Sequence, residues 1–282
     1  MDFAKDWLKH WLAAAFTDYD NLITNAASVL SASPASDTTW GQILTISEAL
    51  KPFCYVVIAI CLLIEVAQVA AKVDLIKWEH GLKVAVKMCL AKVMIDTAPT
   101  FLEACYYQAS KWITSVAASG TNLGGQLTHN INTYVDELSG FFEPMMALFS
   151  LLIPIMAIKI CGLLVEVIAY GRMFEMYCLL AVSPLPCAFF PLGDGSGGGF
   201  SRITRKFILN FVGVCLHGVM IMISIKVYGL IIVSVAKNMG SAAGSDAVAS
   251  INNLCYAMLL GGIVLVMACA KSGQWAKSIL DA

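Results

Sequence analysis

The sequence predicts an all-α polytopic membrane protein, and two observations lead to that class. Hydrophobic residues make up 59% of the 282-residue chain and charged residues only 13%, with a mean hydropathy of +0.77. Four long apolar runs, each interrupted by at most two charges, approach or exceed the roughly 20 residues that span a bilayer as a helix. They occupy residues 54–71, 145–169, 207–236 and 254–270. Because lipid leaves backbone amides without partners, such runs must satisfy them internally as helices.

The charge and cysteine content excludes several other classes. Eighteen Lys and Arg residues oppose nineteen Asp and Glu residues, so the net charge of -1 provides no basic surface for nucleic acid. Any contact with DNA would have to be local or indirect. The ten cysteines show neither Cys-x-x-Cys nor zinc-ligand spacing, and most lie within apolar runs. We therefore expect them to be small buried hydrophobic residues.

The N-terminal segment, residues 2–30, is predicted to be an amphipathic helix. Phe3, Trp7 and Trp11 recur at four-residue spacing, while most charges lie off that stripe. Such a helix either lies at the membrane interface or packs on a partner subunit. With the polar linker 31–40 it forms a first domain, residues 1–40, on the extracytoplasmic side, and residues 41–282 form the transmembrane bundle. The mixed charges at the start predict no cleavable signal peptide.

About five transmembrane helices follow from the apolar runs, and two regions leave alternatives open. Residues 82–119 form either one long helix kinked at Pro99 or a crossing followed by an interfacial helix. Three prolines in 171–191 make a straight crossing unfavourable, so this segment is predicted to be re-entrant or interfacial. Six full crossings are the alternative, but they would place the basic segment 201–206 outside or invert the chain ends.

The distribution of Lys and Arg predicts the orientation of the chain. Basic residues mark segments 72–77, 202–206 and 271–277, whereas 120–140 has no Lys or Arg and 237–253 has one. Since cytoplasmic loops are enriched in Lys and Arg, five crossings place the N-terminus outside and the C-terminus in the cytoplasm.

Charges within or beside the apolar runs are the candidate site residues. Because an ion in hydrocarbon is costly, such side chains usually face protein or water and find partners. Acids and bases nearly balance, which favours ion pairs that hold a bundle or a subunit interface; a proton or ion path is the alternative. The set comprises Glu65, Lys92, Asp96, Glu103, Lys159, Glu166, Arg172, Glu175 and Lys226.

The spacing of these charges predicts which of them share a helix face. Lys92, Asp96 and Glu103 fall within about 40° of each other on a helical wheel. Lys159 and Glu166, seven residues apart, share a face, and Arg172 is close enough to Glu175 to pair with it. Lys226 has no acid at helical spacing, so it needs a partner from another helix or a water-filled path.

No set of residues predicts catalysis, a cofactor or a metal. The glycine pattern at residues 193–198 resembles a dinucleotide loop by letter only, since no strand precedes it. His217 stands alone on an apolar helix and is expected to be a satisfied core histidine. Small residues at Gly213, Gly218 and 261–262 permit close helix packing. We therefore expect a protein that is not an enzyme.

One segment, YGRMFEMYCLLAVSPLPCAFFP at residues 170–191, resembles a signature of TrbL-like (VirB-six-like) conjugal transfer membrane proteins of Firmicutes type IV secretion systems. The closing AKSGQWAKSIL and the Trp-rich start are also similar to that family, whereas the glycine-rich DGSGGG stretch is longer than expected. The signature residues are Tyr170, Gly171, Arg172, Met173, Phe174, Glu175, Ser183, Pro184 and Pro186.

The resemblance implies a platform subunit in the cytoplasmic membrane of a bacterium, which helps to export relaxase-bound single-stranded DNA. It implies a homo-oligomer that assembles with a VirB-four-like ATPase, VirB-three-like and VirB-eight-like membrane proteins, a cell-wall hydrolase and membrane lipid, with indirect or transient DNA contact. A secondary transporter or ion-coupled channel is the alternative, although no paired repeat supports it. A membrane-embedded enzyme ranks third because no catalytic set is present.

Overall fold

The computed structural model describes residues 2–31, 38–72, 78–119, 135, 142–191, 202–240 and 247–281. Almost all of these residues are helical and none forms a strand, which confirms the all-α class. The helices of this described part are α1 (Asp2–Leu30), α2 (Thr38–Lys72), α3 (Trp78–Ala118), α4 (Phe142–Val182), α5 (Pro184–Ala188), α6 (Arg202–Gly240) and α7 (Ala247–Asp281). The expected loops at 120–140 and 192–200 lie outside the described residues, apart from Val135.

Several helices extend beyond the apolar runs that predicted them. α2 begins at Thr38, so residues 38–40, which were expected in the polar linker, are helical. Of the expected loop 237–253, residues 237–240 and 247–253 belong to helices. α3 is one continuous helix that contains Pro99, which is the first of the two arrangements considered for this region.

The end of α4 corrects a boundary drawn from the sequence. The third apolar run was expected to end near Ala169, but α4 continues to Val182 because no proline occurs between them and the single glycine, Gly171, costs a helix only about 1 kcal/mol. The break falls at Ser183, immediately before Pro184, and the short helix α5 follows. Proline at the start of a helix is favourable because its missing amide hydrogen has no intrahelical partner there.

Three helices of the described residues are long and apolar enough to cross a membrane by length and composition. The segments are Thr39–Ile64 in α2, Arg202–Val235 in α6 and Cys255–Leu280 in α7. Their most apolar stretches are only 22%, 44% and 33% buried within the chain. Apolar faces this large need lipid or protein to cover them. The chain is therefore a multi-pass membrane protein.

The helices form two compact units. The α1 unit comprises Met1–Ser31, Lys111–Gly171 and His217–Trp275, and the α2 unit comprises Ala32–Ser110, Arg172–Leu216 and Ala276–Ala282. Four of the helices contribute residues to both units, whereas α1 belongs to the first and α2 to the second.

The core of the α2 unit joins α2, α3 and the α5 region. Cys54 and Ile58 of α2 pack with Ile95 of α3 and Cys187 of α5, as expected for cysteines that behave as small hydrophobic residues. Beyond this cluster, the Trp40 ring stacks on Tyr106 with centroids 5.6 Å apart. The Tyr177 ring completes an aromatic group, with its centroid 5.9 Å from that of Trp40 in a T-shaped arrangement.

The α1 unit is packed through small residues, as the sequence predicts. A Cβ on Gly261 would lie 2.8 Å from Cε2 of Tyr228, so the α7 backbone approaches the Tyr228 ring closely. The Tyr228 hydroxyl donates a hydrogen bond to the Met258 carbonyl at 3.0 Å. Gly218 packs against Ile113: a Cβ on Gly218 would lie 3.4 Å from Cδ1 of Ile113. Glycine thus brings helices of this unit together.

Candidate functional site: a polar seam between α1 and α4

Two of the predicted site residues, Lys159 and Glu166, face the N-terminal helix. Lys159 Nζ lies 3.0 Å from the carboxylate of Asp18. Seven residues further along each helix, Asn25 Nδ2 donates a hydrogen bond to Glu166 Oε1 at 3.2 Å. These two contacts define a polar seam between α1 and α4.

The seam also fixes the direction and register of the two helices. Residue numbers rise together from Asp18–Lys159 to Asn25–Glu166, so α1 runs parallel to α4. Seven residues of helix advance about 10.5 Å, which separates the two contacts by that distance. Leu22 lies between these two contacts, and a Cβ on Gly162 would be 3.9 Å from its Cδ2 atom. A side chain larger than alanine at residue 162 would push α1 away.

A cavity of about 330 Å³ opens along the seam. Asp18, Asn21, Asn25, Lys159 and Glu166 supply its polar lining, and Tyr228 of α6 and Gly262 of α7 also line it. Its titratable side chains are two carboxylic acids and one amine, besides the Tyr228 phenol and the Cys161 thiol. Asp18 and Lys159 are 50% and 46% exposed, so the rest of the chain covers only about half of the ion pair.

The polar contacts of the seam join α1 to α4. The two polar groups that α4 contributes to the seam, Lys159 and Glu166, each have a partner from α1, which lowers the cost of placing them among apolar helices. Among the described residues, no group of three His, Cys, Asp or Glu side chains could hold a metal ion.

The sequence predicted the α4 half of the seam and missed the α1 half. The stripe of aromatic residues dominates the pattern of α1, and the polar residues Asp18, Asn21 and Asn25 lie outside it. A usable signal existed in the sequence: Asp18 and Asn25 have the same seven-residue spacing as Lys159 and Glu166. The structure also packs α1 on its own chain, an arrangement that neither expectation for this helix included. Leu22, Ala26 and Leu30 of α1 are buried, whereas Trp7 is exposed.

The three predicted residues on α3 do not pair with each other. Asp96 accepts a hydrogen bond from the Tyr55 hydroxyl of α2 at 2.6 Å. Lys92 is exposed, and no ion pair joins these two described side chains. Glu103 is half-buried. Asp96 therefore links α3 to α2 within the α2 unit.

Arg172 and Glu175 form the pair that their spacing predicts. Arg172 Nη1 lies 2.5 Å from Glu175 Oε2, and the arginine side chain is only 5% exposed. The Nε and Nη2 atoms of Arg172 are buried without a hydrogen-bond partner among the described atoms. Two neighbouring signature residues, Tyr170 and Phe174, are 60% and 70% exposed. This part of α4 thus combines a buried arginine, paired with the exposed Glu175, with outward-facing aromatic rings.

The remaining predicted residues are placed separately. Lys226 is half-buried on α6 and is not an isolated charge. His217 is satisfied, as predicted: its Nε2 lies 3.2 Å from the Cys269 carbonyl and its ring packs on Gly273. Glu65 lies on α2, but its side chain falls outside the described part of the structure.

The described residues form a helical membrane protein whose polar side chains link neighbouring helices. The family comparison identifies which kind of membrane protein this is. The chain matches the model of the TrbL/VirB6 plasmid conjugal transfer like proteins over residues 20–184, more than half of its 282 residues. The chain belongs to this family and is a component of a conjugal transfer type IV secretion system. No curated protein and no solved structure matches the chain.

Proposed function

We propose that this protein is a subunit of the platform that a conjugative type IV secretion system builds in the cytoplasmic membrane of a bacterium. In this role it helps to export relaxase-bound single-stranded DNA. The main support is the family match over residues 20–184, which includes Asn25, Lys159, Glu166 and the signature residues from Tyr170 to Pro184. The largely uncovered apolar faces of the membrane helices support a place within an assembly.

In the proposed topology the chain crosses the membrane five times, with its N-terminus outside and its C-terminus in the cytoplasm. Crossings through α3 and α4 add to the three apolar helices. The absence of Lys and Arg from 120–140 and the basic residues of 202–206 support this orientation. The α5 region then forms a re-entrant or interfacial segment.

The proposed role is structural and not enzymatic, and it requires several copies of the chain. Large apolar side chains point outward along α4, among them Phe149, Ile153 and Phe174, which are 68%, 73% and 70% exposed. Lipid or neighbouring copies would cover them. A VirB-four-like ATPase, VirB-three-like and VirB-eight-like proteins and a cell-wall hydrolase are the further proposed partners. DNA contact with this chain would be indirect or transient.

A donor strain that lacks this protein tests the proposal. We expect DNA transfer to recipients to fall by several orders of magnitude and to return when the intact chain is supplied. Nicking of the transfer origin, measured in the same donors, should stay unchanged because processing of DNA precedes export. Unchanged transfer would contradict the proposal, and a parallel loss of nicking would place the protein before export.

A secondary transporter or ion-coupled channel is the second candidate, since Lys159 and Glu166 line one cavity. Their contacts with Asp18 and Asn25 weigh against it, because each group is held by α1 rather than left for a substrate. Glu166→Gln retains an oxygen acceptor for Asn25. This substitution should therefore leave DNA transfer near the wild-type level. If a proton path ran through Glu166, the same substitution would abolish it.

A further inference from the structure

We propose that the α2 unit contains a binding site for an anionic phospholipid. One acyl chain would occupy an apolar cavity between α3, α5 and α6, and the phosphate would contact the basic first turns of α6. This inference is independent of the platform role.

The cavity has a volume of about 250 Å³ and an almost wholly apolar lining. Met94, Thr97 and Phe101 line it from α3, Cys187 from α5, and Phe207 and Ile208 from α6. Thr97 donates its hydroxyl hydrogen to the Val93 carbonyl at 2.7 Å, so it leaves no unmet donor in the lining. An apolar cavity without free polar groups selects a hydrocarbon occupant, since burying an unpaired polar group is costly.

The cavity is open to its surroundings. Thr97 is exposed and Phe101 is 51% exposed, although both line it. An acyl chain of the surrounding bilayer could therefore enter from the side without any helix moving apart. The cavity reaches the buried core of the α2 unit at Ala98 and Cys187, which close its inner end.

Three basic side chains directly precede the α6 residues that line the cavity. Arg202, Arg205 and Lys206 are all exposed. Arg205 lies three residues before Ile208 and so on the same side of α6, about 4.5 Å along the axis. A phosphate beside Arg205 or Lys206 would leave its acyl chain within reach of the cavity. Charge complementarity therefore favours an anionic headgroup.

A hydrogen bond holds this basic segment beside the cavity. Thr204, which is fully buried, donates its hydroxyl hydrogen to the Pro186 carbonyl at 2.8 Å. Pro186 precedes Cys187, so the contact ties the first turn of α6 to the helix that closes the cavity. Arg205 follows Thr204 directly, so the same contact sets the position of its backbone, while its side chain is exposed. Contacts within the α2 unit therefore hold the basic first turn of α6 beside the cavity.

Native mass spectrometry of the full chain in detergent tests the site, with phosphatidylglycerol and phosphatidylcholine as the added lipids. We expect one phosphatidylglycerol to bind more tightly than phosphatidylcholine. The variant R205Q/K206Q should weaken phosphatidylglycerol binding by about 25-fold, since each basic residue contributes a factor of about five. The matched control K271Q/K277Q removes two basic residues of α7, and it should bind like the wild type.

Thr97→Trp tests the cavity separately from the charges. Because residue 97 is exposed, the indole should block the entrance without disturbing the core, and it should weaken both lipids. Circular dichroism and size-exclusion chromatography confirm that each variant is folded. Equal losses for R205Q/K206Q and K271Q/K277Q would overturn the site in favour of general attraction to basic surface. Unchanged binding by Thr97→Trp, or a second copy of the chain cross-linked at residue 97, would also overturn it.

Discussion

At the residue scale, two adjacent glycines of α7 have very different surroundings. A Cβ on Gly261 would lie 2.8 Å from the Tyr228 ring, whereas one on Gly262 would lie 3.5 Å from Cβ of Cys161. The first distance is a clash and the second is an ordinary contact. Packing of α6 on α7 therefore depends on one glycine and tolerates change at the next.

This difference predicts opposite effects of the same substitution. Gly261→Ala should lower the free energy of unfolding by about 1–3 kcal/mol because the Tyr228 ring must move. Gly262→Ala should leave it unchanged or raise it slightly, since alanine is the better helix former. Unfolding of the purified protein in mixed detergent micelles measures both. Equal destabilisation by the two variants would contradict the close approach of Tyr228.

The Asp18–Lys159 ion pair makes a second prediction at this scale. Because both side chains are about half exposed, their coupling should be modest, about 0.5–1 kcal/mol. A double-mutant cycle with Asp18→Asn and Lys159→Gln measures it. The swapped variant D18K/K159D should recover part of the stability that either single reversal loses. Strict additivity of the two substitutions would show that the pair contributes nothing.

At the element scale, the break between α4 and α5 determines where α6 begins. Pro184 and Pro186 end the long helix and leave the Pro186 carbonyl free to accept a hydrogen bond from Thr204. The signature segment thus positions the first turn of α6 in addition to carrying the Arg172–Glu175 pair.

Removal of the Thr204 hydroxyl should loosen this connection. Thr204→Val keeps the shape of the side chain but leaves the Pro186 carbonyl without its donor, at a cost of about 1–2 kcal/mol. Thr204→Ser retains the donor and serves as the matched control. Hydrogen exchange of the backbone amides at residues 205–208 of α6 should become faster in Thr204→Val only. Identical exchange in the two variants would show that the hydrogen bond does not hold α6.

The helices could be predicted from the sequence to a large extent, and the seam only by half. Apolar runs predict helices because lipid forces backbone groups to pair locally, so α2, α6 and α7 were found. The ends of the helices were harder to predict from the apolar runs. For example, α4 continues past Ala169 because residues 170–182 can form a helix either in lipid or outside it. Which side chains face each other depends on tertiary packing, so Asp18 and Asn25 were missed.

At the scale of the whole molecule, the chain leaves much of its apolar surface uncovered. Only 22% of the most apolar part of α2 is buried within the chain. A bilayer can cover such a surface, and so can further copies of the chain. Rows of outward-facing side chains along α4, including Ile153 and Phe174, are suited to either. The proposed platform requires that some of this surface form contacts between copies.

Electron microscopy of the protein purified in mild detergent tests this requirement most directly. The proposed platform role predicts a particle of several copies closed around one axis, with the α4 surface in the contacts between them. A monomeric particle, with mass and shape unchanged when the partner proteins are co-expressed, would contradict a homo-oligomeric platform subunit.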